Sequence, residues 1–145
     1  MSTPANISLG FPGVYIQCHW DGDPLHTGLD LYHILRGHKL VHGFCATDGD
    51  GLHHNGFEDL FAYLVMRLKK RRGYPIGNVY LQSGDAFDPE TDMCYCYTIG
   101  NIDDKLTLDI YKYSEHIYSD YIDNYGQWLR KYRRELRENE DDDSE

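Results

Sequence analysis

From Phe57 the chain sets apolar side chains at positions 57, 60, 61, 64, 65 and 68. Steps of three and four put all six on one stripe of an α-helix. Asn55 stands ahead of it as a candidate N-cap, Glu58 and Asp59 suit its first turn, and Gly73 suits the position just past its end. Elsewhere the period changes to two. Val14–His19 is β-branched and aromatic and follows Pro12-Gly13, which predicts a strand. Asp21-Gly22-Asp23-Pro24 then predicts a turn, and a second helix is expected from about Leu25 to Leu35, stopped by Gly37.

Lys39–Thr47 and Asn78–Gln82 are further strand candidates. Met93–Ile99 and Leu106–Tyr113 predict a hairpin across 100–105, because Leu106, Leu108 and Ile110 alternate with polar neighbours. A last helix is expected where Ile122, Tyr125, Leu129, Tyr132 and Leu136 recur at helical steps. The predicted order is β-α-β-α-β-β-β-α. Strands gather toward the C-terminal half, so the expectation is a single α+β domain over 13–137, a mostly antiparallel sheet packed against two or three helices. Residues 1–12 are read as a loose leader and 138–145 as a disordered acidic tail.

Charge changes the picture of possible partners. The chain carries a net −10, of which the segment from Arg133 onward, with three Arg against seven Asp/Glu, supplies −4. An acidic body argues against direct nucleic-acid binding and favours a partner with a basic surface. Lys69-Lys70-Arg71-Arg72 could touch phosphate, but four cations closing a helix also complement its dipole, and the second reading is preferred. No apolar run approaches the length of a membrane span, and residues 1–9 lack the features of a signal peptide. Cys18, Cys45, Cys94 and Cys96 form no CxxC pair, so reduced thiols and a cytoplasmic location are expected. Thirteen tyrosines, rings that pack at one end and hydrogen-bond at the other, suit a binding surface as well as a core.

Chemistry, if present, concentrates early: seven of eight histidines fall between residues 19 and 54. His19, Trp20, Asp21 and His26 surround the first turn and are the candidate pocket edge. With His53 replacing Trp20, the same neighbourhood offers ligands for a divalent transition metal, since imidazole and carboxylate bind such ions. Spacing argues against that. His26 and His33 would stand about 10–11 Å apart along a helix, His53 and His54 would point apart, and no HExxH motif occurs. Asp48-Gly49-Asp50-Gly51 fails as a calcium loop, with His53 where Gly is needed and Asp59 where Glu is. Cys18 and His19, adjacent on a strand, face opposite ways and cannot act as a nucleophile–base pair. Asp21 is better read as a cap accepting backbone N–H groups, with Trp20 covering the sheet end.

Tyr15-Ile16-Gln17-Cys18-His19-Trp20-Asp21-Gly22-Asp23-Pro24, with Gly28 downstream, resembles the early signature of a small family of uncharacterised phage and bacterial proteins. That signature is an aromatic-ended strand, then His/Gln-aromatic-Asp-Gly-Tyr-Pro and a later glycine; Asp23 stands here where the family usually has Tyr. Asn55-Gly56-Phe57-Glu58-Asp59-Leu60, then Ala62, and the closing hairpin are similar in order and spacing. The resemblance implies an intracellular, often phage-associated protein with this α+β layout. The leading expectation is therefore a small acidic interaction module, a phage-encoded modulator or inhibitor of a host protein with a basic surface, without cofactor. The alternative is a metal-dependent hydrolase or a nucleotide- or small-ligand-binding protein using the His/Asp-rich first third.

Overall fold

The computed structural model describes residues 3–10, 12–41, 52–74, 76–86 and 95–143. Among the described residues, eight strands and three helices follow in order: β1 (Ala5–Ser8), β2 (Val14–Cys18), α1 (Leu29–Leu35), β3 (Lys39–Val41), β4 (His53–Asn55), α2 (Gly56–Arg71), β5 (Val79–Ser83), β6 (Tyr95–Ile102), β7 (Lys105–Lys112), β8 (Glu115–Tyr121) and α3 (Tyr125–Asp143). The strands form one sheet in the order β4-β3-β7-β6-β1-β2-β5, with β8 also paired to β7. Most pairings are antiparallel, but β1 with β6 and β3 with β4 are parallel, so the sheet is mixed. The α+β expectation holds with that amendment.

The period-two pattern decides which face is buried. Ile7 of β1, Ile16 and Cys18 of β2, Tyr97 and Ile99 of β6, and Leu108 and Ile110 of β7 are all buried. The helices supply the other half of this core through Leu31 and Leu35 of α1, Leu60, Leu64 and Leu68 of α2, and Tyr125 and Leu129 of α3. The predicted stripe of α2 is therefore its buried face. Its start differs in one detail: Asn55 makes no side-chain cap, and Asp59 reaches back to accept from the Asn55 backbone N–H at 2.8 Å.

Two expectations are corrected and one strand is added. The loose leader contains β1, which lies between β2 and β6 and is buried at Ala5, Asn6 and Ile7. A strand with neighbours on both sides needs little sequence signal of its own. The stretch before the last helix, for which the pattern predicts no element, is β8, which turns back from β7 through Tyr113 and Ser114, both at positive φ. The acidic tail expected from residue 138 is the end of α3, which continues to Asp143. Of the predicted Lys39–Thr47 strand, Lys39–Val41 is seen and the rest lies outside the described residues.

Candidate functional site

The junction between β2 and α1 holds four of the five candidate residues, and its backbone is held from three sides. Asp21 takes φ 57°, a left-handed conformation Asp tolerates better than most residues. Gly22 follows because the chain passes against residues 3 and 4: its N–H donates to the Thr3 carbonyl at 2.6 Å. A Cβ at Gly22 would lie 2.6 Å from the Pro4 carbonyl group. Pro24–Gly28 forms a single π-helical turn that runs into α1. From the sheet, the buried Tyr97 hydroxyl donates to the Gly22 carbonyl at 2.7 Å; from α3, the buried Tyr125 hydroxyl donates to the Pro24 carbonyl at 2.7 Å. Burial pushes the Tyr97 phenol well above its ordinary range and acts in the same direction on Tyr125, so both hydroxyls keep their protons and remain donors.

The third side is Arg72, one residue past α2. Its guanidinium donates to the Trp20 carbonyl (2.9 Å), the Asp21 carbonyl (3.3 Å), Thr27 Oγ1 (2.7 Å) and Asp30 Oδ2 (3.1 Å). Its side chain is only 10% exposed. Arg71 pairs with the other oxygen of Asp30. The Lys69–Arg72 run is therefore not only a dipole complement: its last member locks the junction, using a planar fork that lysine lacks.

Within this frame the candidate side chains are spread apart. His19 lies edge-on to Trp20 with ring centroids 4.9 Å apart, while its backbone N–H donates to the Asn78 carbonyl at 2.8 Å. Trp20 is 44% exposed, and its ring meets that of His19. Asp21 does cap the following turn, but through its carbonyl, which accepts from the Thr27 N–H at 3.0 Å and from Thr27 Oγ1 at 2.7 Å. His26 pairs with Asp23 at 2.6 Å, Nδ1 to Oδ1. His53 sits in β4 at the N-terminal end of α2, whereas Arg72 meets Trp20 at the opposite end. Sixteen helical residues separate these ends, about 24 Å of rise. His53 therefore cannot share an ion with His19, Asp21 and His26. Among the described residues, no three His, Cys, Asp or Glu side chains come together as a metal site. His42, Cys45, Cys94 and the Asp48–Gly51 segment lie outside the described residues.

Two features escaped sequence reasoning. His38, just before β3, and His54 of β4 are both buried, with Nδ1 and Nε2 only 2.7 Å apart. Their rings are within 13° of coplanar and their centroids 5.0 Å apart, the geometry of an in-plane N–H···N bond. Tyr63 of α2 packs against both. One ring must donate and the other accept, so the pair cannot carry two protons on the shared axis. Burial, and secondarily His53, hold His54 below the ordinary histidine range, while Asp59 pulls the other way. A parallel pairing of β3 with β4 brings the two together. Nothing in the spacing of 38 and 54 signals it.

The second is the outer face of the β6–β7–β8 meander. Residues 95–124 hold six Asp/Glu against two Lys. Asp103 and Asp104 form the β6–β7 turn, both at positive φ, next to the exposed Ile102. A groove of about 220 Å³ follows, lined by Ile102, Thr107, Asp109, Ser119, Asp120 and Tyr121. His116 bonds Asp109 at 3.0 Å and stacks on Tyr111, their centroids 4.5 Å apart. The two lysines lie over rings, Lys105 by Tyr121 and Lys112 by the exposed Tyr113. Among the described residues, no Lys or Arg pairs with Asp103, Asp104, Glu115 or Asp120.

No protein-family model, curated protein or solved structure matches this chain. Among the described residues, no helix is long and apolar enough to cross a membrane.

Proposed function

We propose that this protein is a binding module whose acidic meander face docks on a basic protein surface. The carrying observation is that Asp103, Asp104 and Asp120, exposed and without a Lys or Arg partner among the described residues, gather with the exposed Ile102 at the β6–β7 turn end of the meander. Unpaired charge at an exposed rim speeds and orients encounter with an oppositely charged partner, and neighbouring apolar and aromatic groups add contact area. The β2–α1 junction supports the reading by contrast. Its backbone carbonyls, with Thr27 and Asp30, are engaged by Arg72 and by the Tyr97 and Tyr125 hydroxyls, and this supports reading it as a scaffold. The resemblance to phage-associated proteins directs the proposal to a host target, and a nucleic-acid-handling or defence enzyme with a basic groove has the complementary charge.

The test is capture of host proteins on immobilised protein at low and high salt. It is repeated with Asp103→Asn, Asp104→Asn and Asp120→Asn combined. Asn keeps the left-handed tolerance that the first two positions require while removing their charge. A partner retained at low salt, released by salt and lost with the triple variant supports the proposal. Equal retention by the variant, or an empty capture at low salt, refutes it.

A further inference from the structure

The C-terminal part of α2 is basic. Arg67, Lys70 and Arg71 of α2 line a groove of about 310 Å³. Across the α1–α2 contact stand His33 and Arg36, both exposed. The nearby carboxylate, Asp30, is already engaged by Arg71 and Arg72. Glu58 and Asp59 lie in the first turn of α2, about 12 Å or more of helical rise from Arg67. The last carbonyls of α2 are occupied, since the backbone N–H groups of Arg72, Gly73 and Tyr74 donate to Leu68, Lys70 and Lys69. The negative end of the helix is thus capped, and the side-chain cations dominate the groove. Arg67 Cζ lies 6.0 Å from the Tyr63 ring centroid and Arg36 Cζ 5.7 Å from that of Tyr32, and neither is in a salt bridge among the described residues.

We infer that this groove is an anion site for two linked phosphoryl groups, as in inorganic pyrophosphate or the diphosphate end of a nucleotide. Arg67 and Lys70 meet there with Arg71, which shares Asp30 with Arg72, so the groove keeps a positive surplus, and guanidinium forks match phosphate oxygens in two-pronged contacts. The global charge of −10 does not oppose this, because the acidic surplus sits on the meander and tail while screening confines its reach to roughly 10 Å. His33 supplies an independent witness to the local potential. Its protonation is disfavoured first by burial and then by Arg71 and Arg36, with Asp30 acting in the opposite sense. A bound polyanion reverses the contribution of the two arginines.

The experiment titrates the intact protein with sodium pyrophosphate, with ADP and, at matched ionic strength, with sodium chloride. Binding is read by calorimetry, and the His33 titration midpoint by NMR. Pyrophosphate should raise that midpoint more than chloride does. Arg67→Gln with Lys70→Gln, two side chains outside the core, should weaken binding about tenfold or more and abolish the extra rise. Tighter binding of ADP than pyrophosphate assigns the diphosphate to a nucleotide; equal or weaker binding assigns it to the free anion. A His33 response equal to that in chloride, or unchanged affinity in the double variant, overturns the inference, and neither result bears on the acidic meander.

Discussion

Arg72 is the side chain on which the β2–α1 junction most depends, and its replacement separates charge from geometry. Arg72→Met removes four donated hydrogen bonds and leaves the Trp20 carbonyl and Thr27 Oγ1 without that partner, while Asp30 keeps Arg71. Breaking a buried ion pair by deleting one partner costs about 3–5 kcal/mol. Because Asp30 retains a partner and is 16% exposed, the low end applies, about 3 kcal/mol. Arg72→Lys keeps the charge beside Asp30 but cannot reach four acceptors from one ammonium, so about 1–2 kcal/mol should be lost. Melting temperature should fall by about 3–4 °C for each kcal/mol in a chain of this size. Urea unfolding followed by fluorescence suits the question, since Trp20 lies at the junction and a Trp128→Phe background leaves it as the sole indole. The order of stability should be wild type, then Arg72→Lys, then Arg72→Met. If Arg72→Lys equals wild type, or Arg72→Met costs no more than the exposed Lys70→Gln, the guanidinium fork does not hold the junction.

Other consequences are as direct. Gly22→Ala should destabilise by about 2 kcal/mol or more, because the new Cβ meets backbone atoms of Pro4 rather than a movable side chain; a melting temperature equal to wild type would count against the close approach. His54 is held below its ordinary value by burial, so its native state prefers the neutral ring. That preference is fully present above about pH 6.5 and is lost as pH falls through the depressed native value. His54→Gln should accordingly flatten the acid limb of a stability–pH profile, and an unchanged limb would exclude the pair as its source. Cys18 is fully buried, and desolvation raises its thiol to about 11. It should resist iodoacetamide at pH 8 in native protein and react in urea, as mass spectrometry of the Cys18 peptide can check. Its neutral thiol favours the native state below about pH 9, an advantage lost as pH rises toward 11.

Helix α2 was legible because one stripe of six apolar residues decides both its period and its burial. The β6–β7 hairpin was legible for a similar reason, since β7 alternates cleanly. What was hidden depends on neighbours distant in sequence. Ala5-Asn6-Ile7-Ser8 reads as a polar, loose segment until residues 95–98 lie beside it. In β8 only Tyr118 is buried, so an exposed strand carries almost no apolar alternation. The turns at 103–104 and 113–114 use Asp, Tyr and Ser at positive φ where glycine would have announced them. At the junction, the residue types marked the turn and suggested Asp21 as a cap, but the group that accepts there is its main-chain carbonyl, which any residue could supply. That the cap is a carbonyl, and that Arg72 holds it from fifty residues away, follows from packing that no local pattern encodes. The metal reading of His53 failed on the length of α2, which places it at the wrong end.

The position of β1 sets the order in which the molecule can be assembled. Its partner on one side, β2, is made within a few residues, but its parallel partner β6 begins at Tyr95. Until that strand leaves the ribosome, the β1–β2–β5 half-sheet presents an open edge through the synthesis of everything between. Pairings of such long sequence separation are slow to form, and unpaired edges invite mispairing with other chains. The last third of the chain, with β6, β7, β8 and α3, is the part that completes the core. A chain truncated before it should expose the β1 edge for as long as it persists.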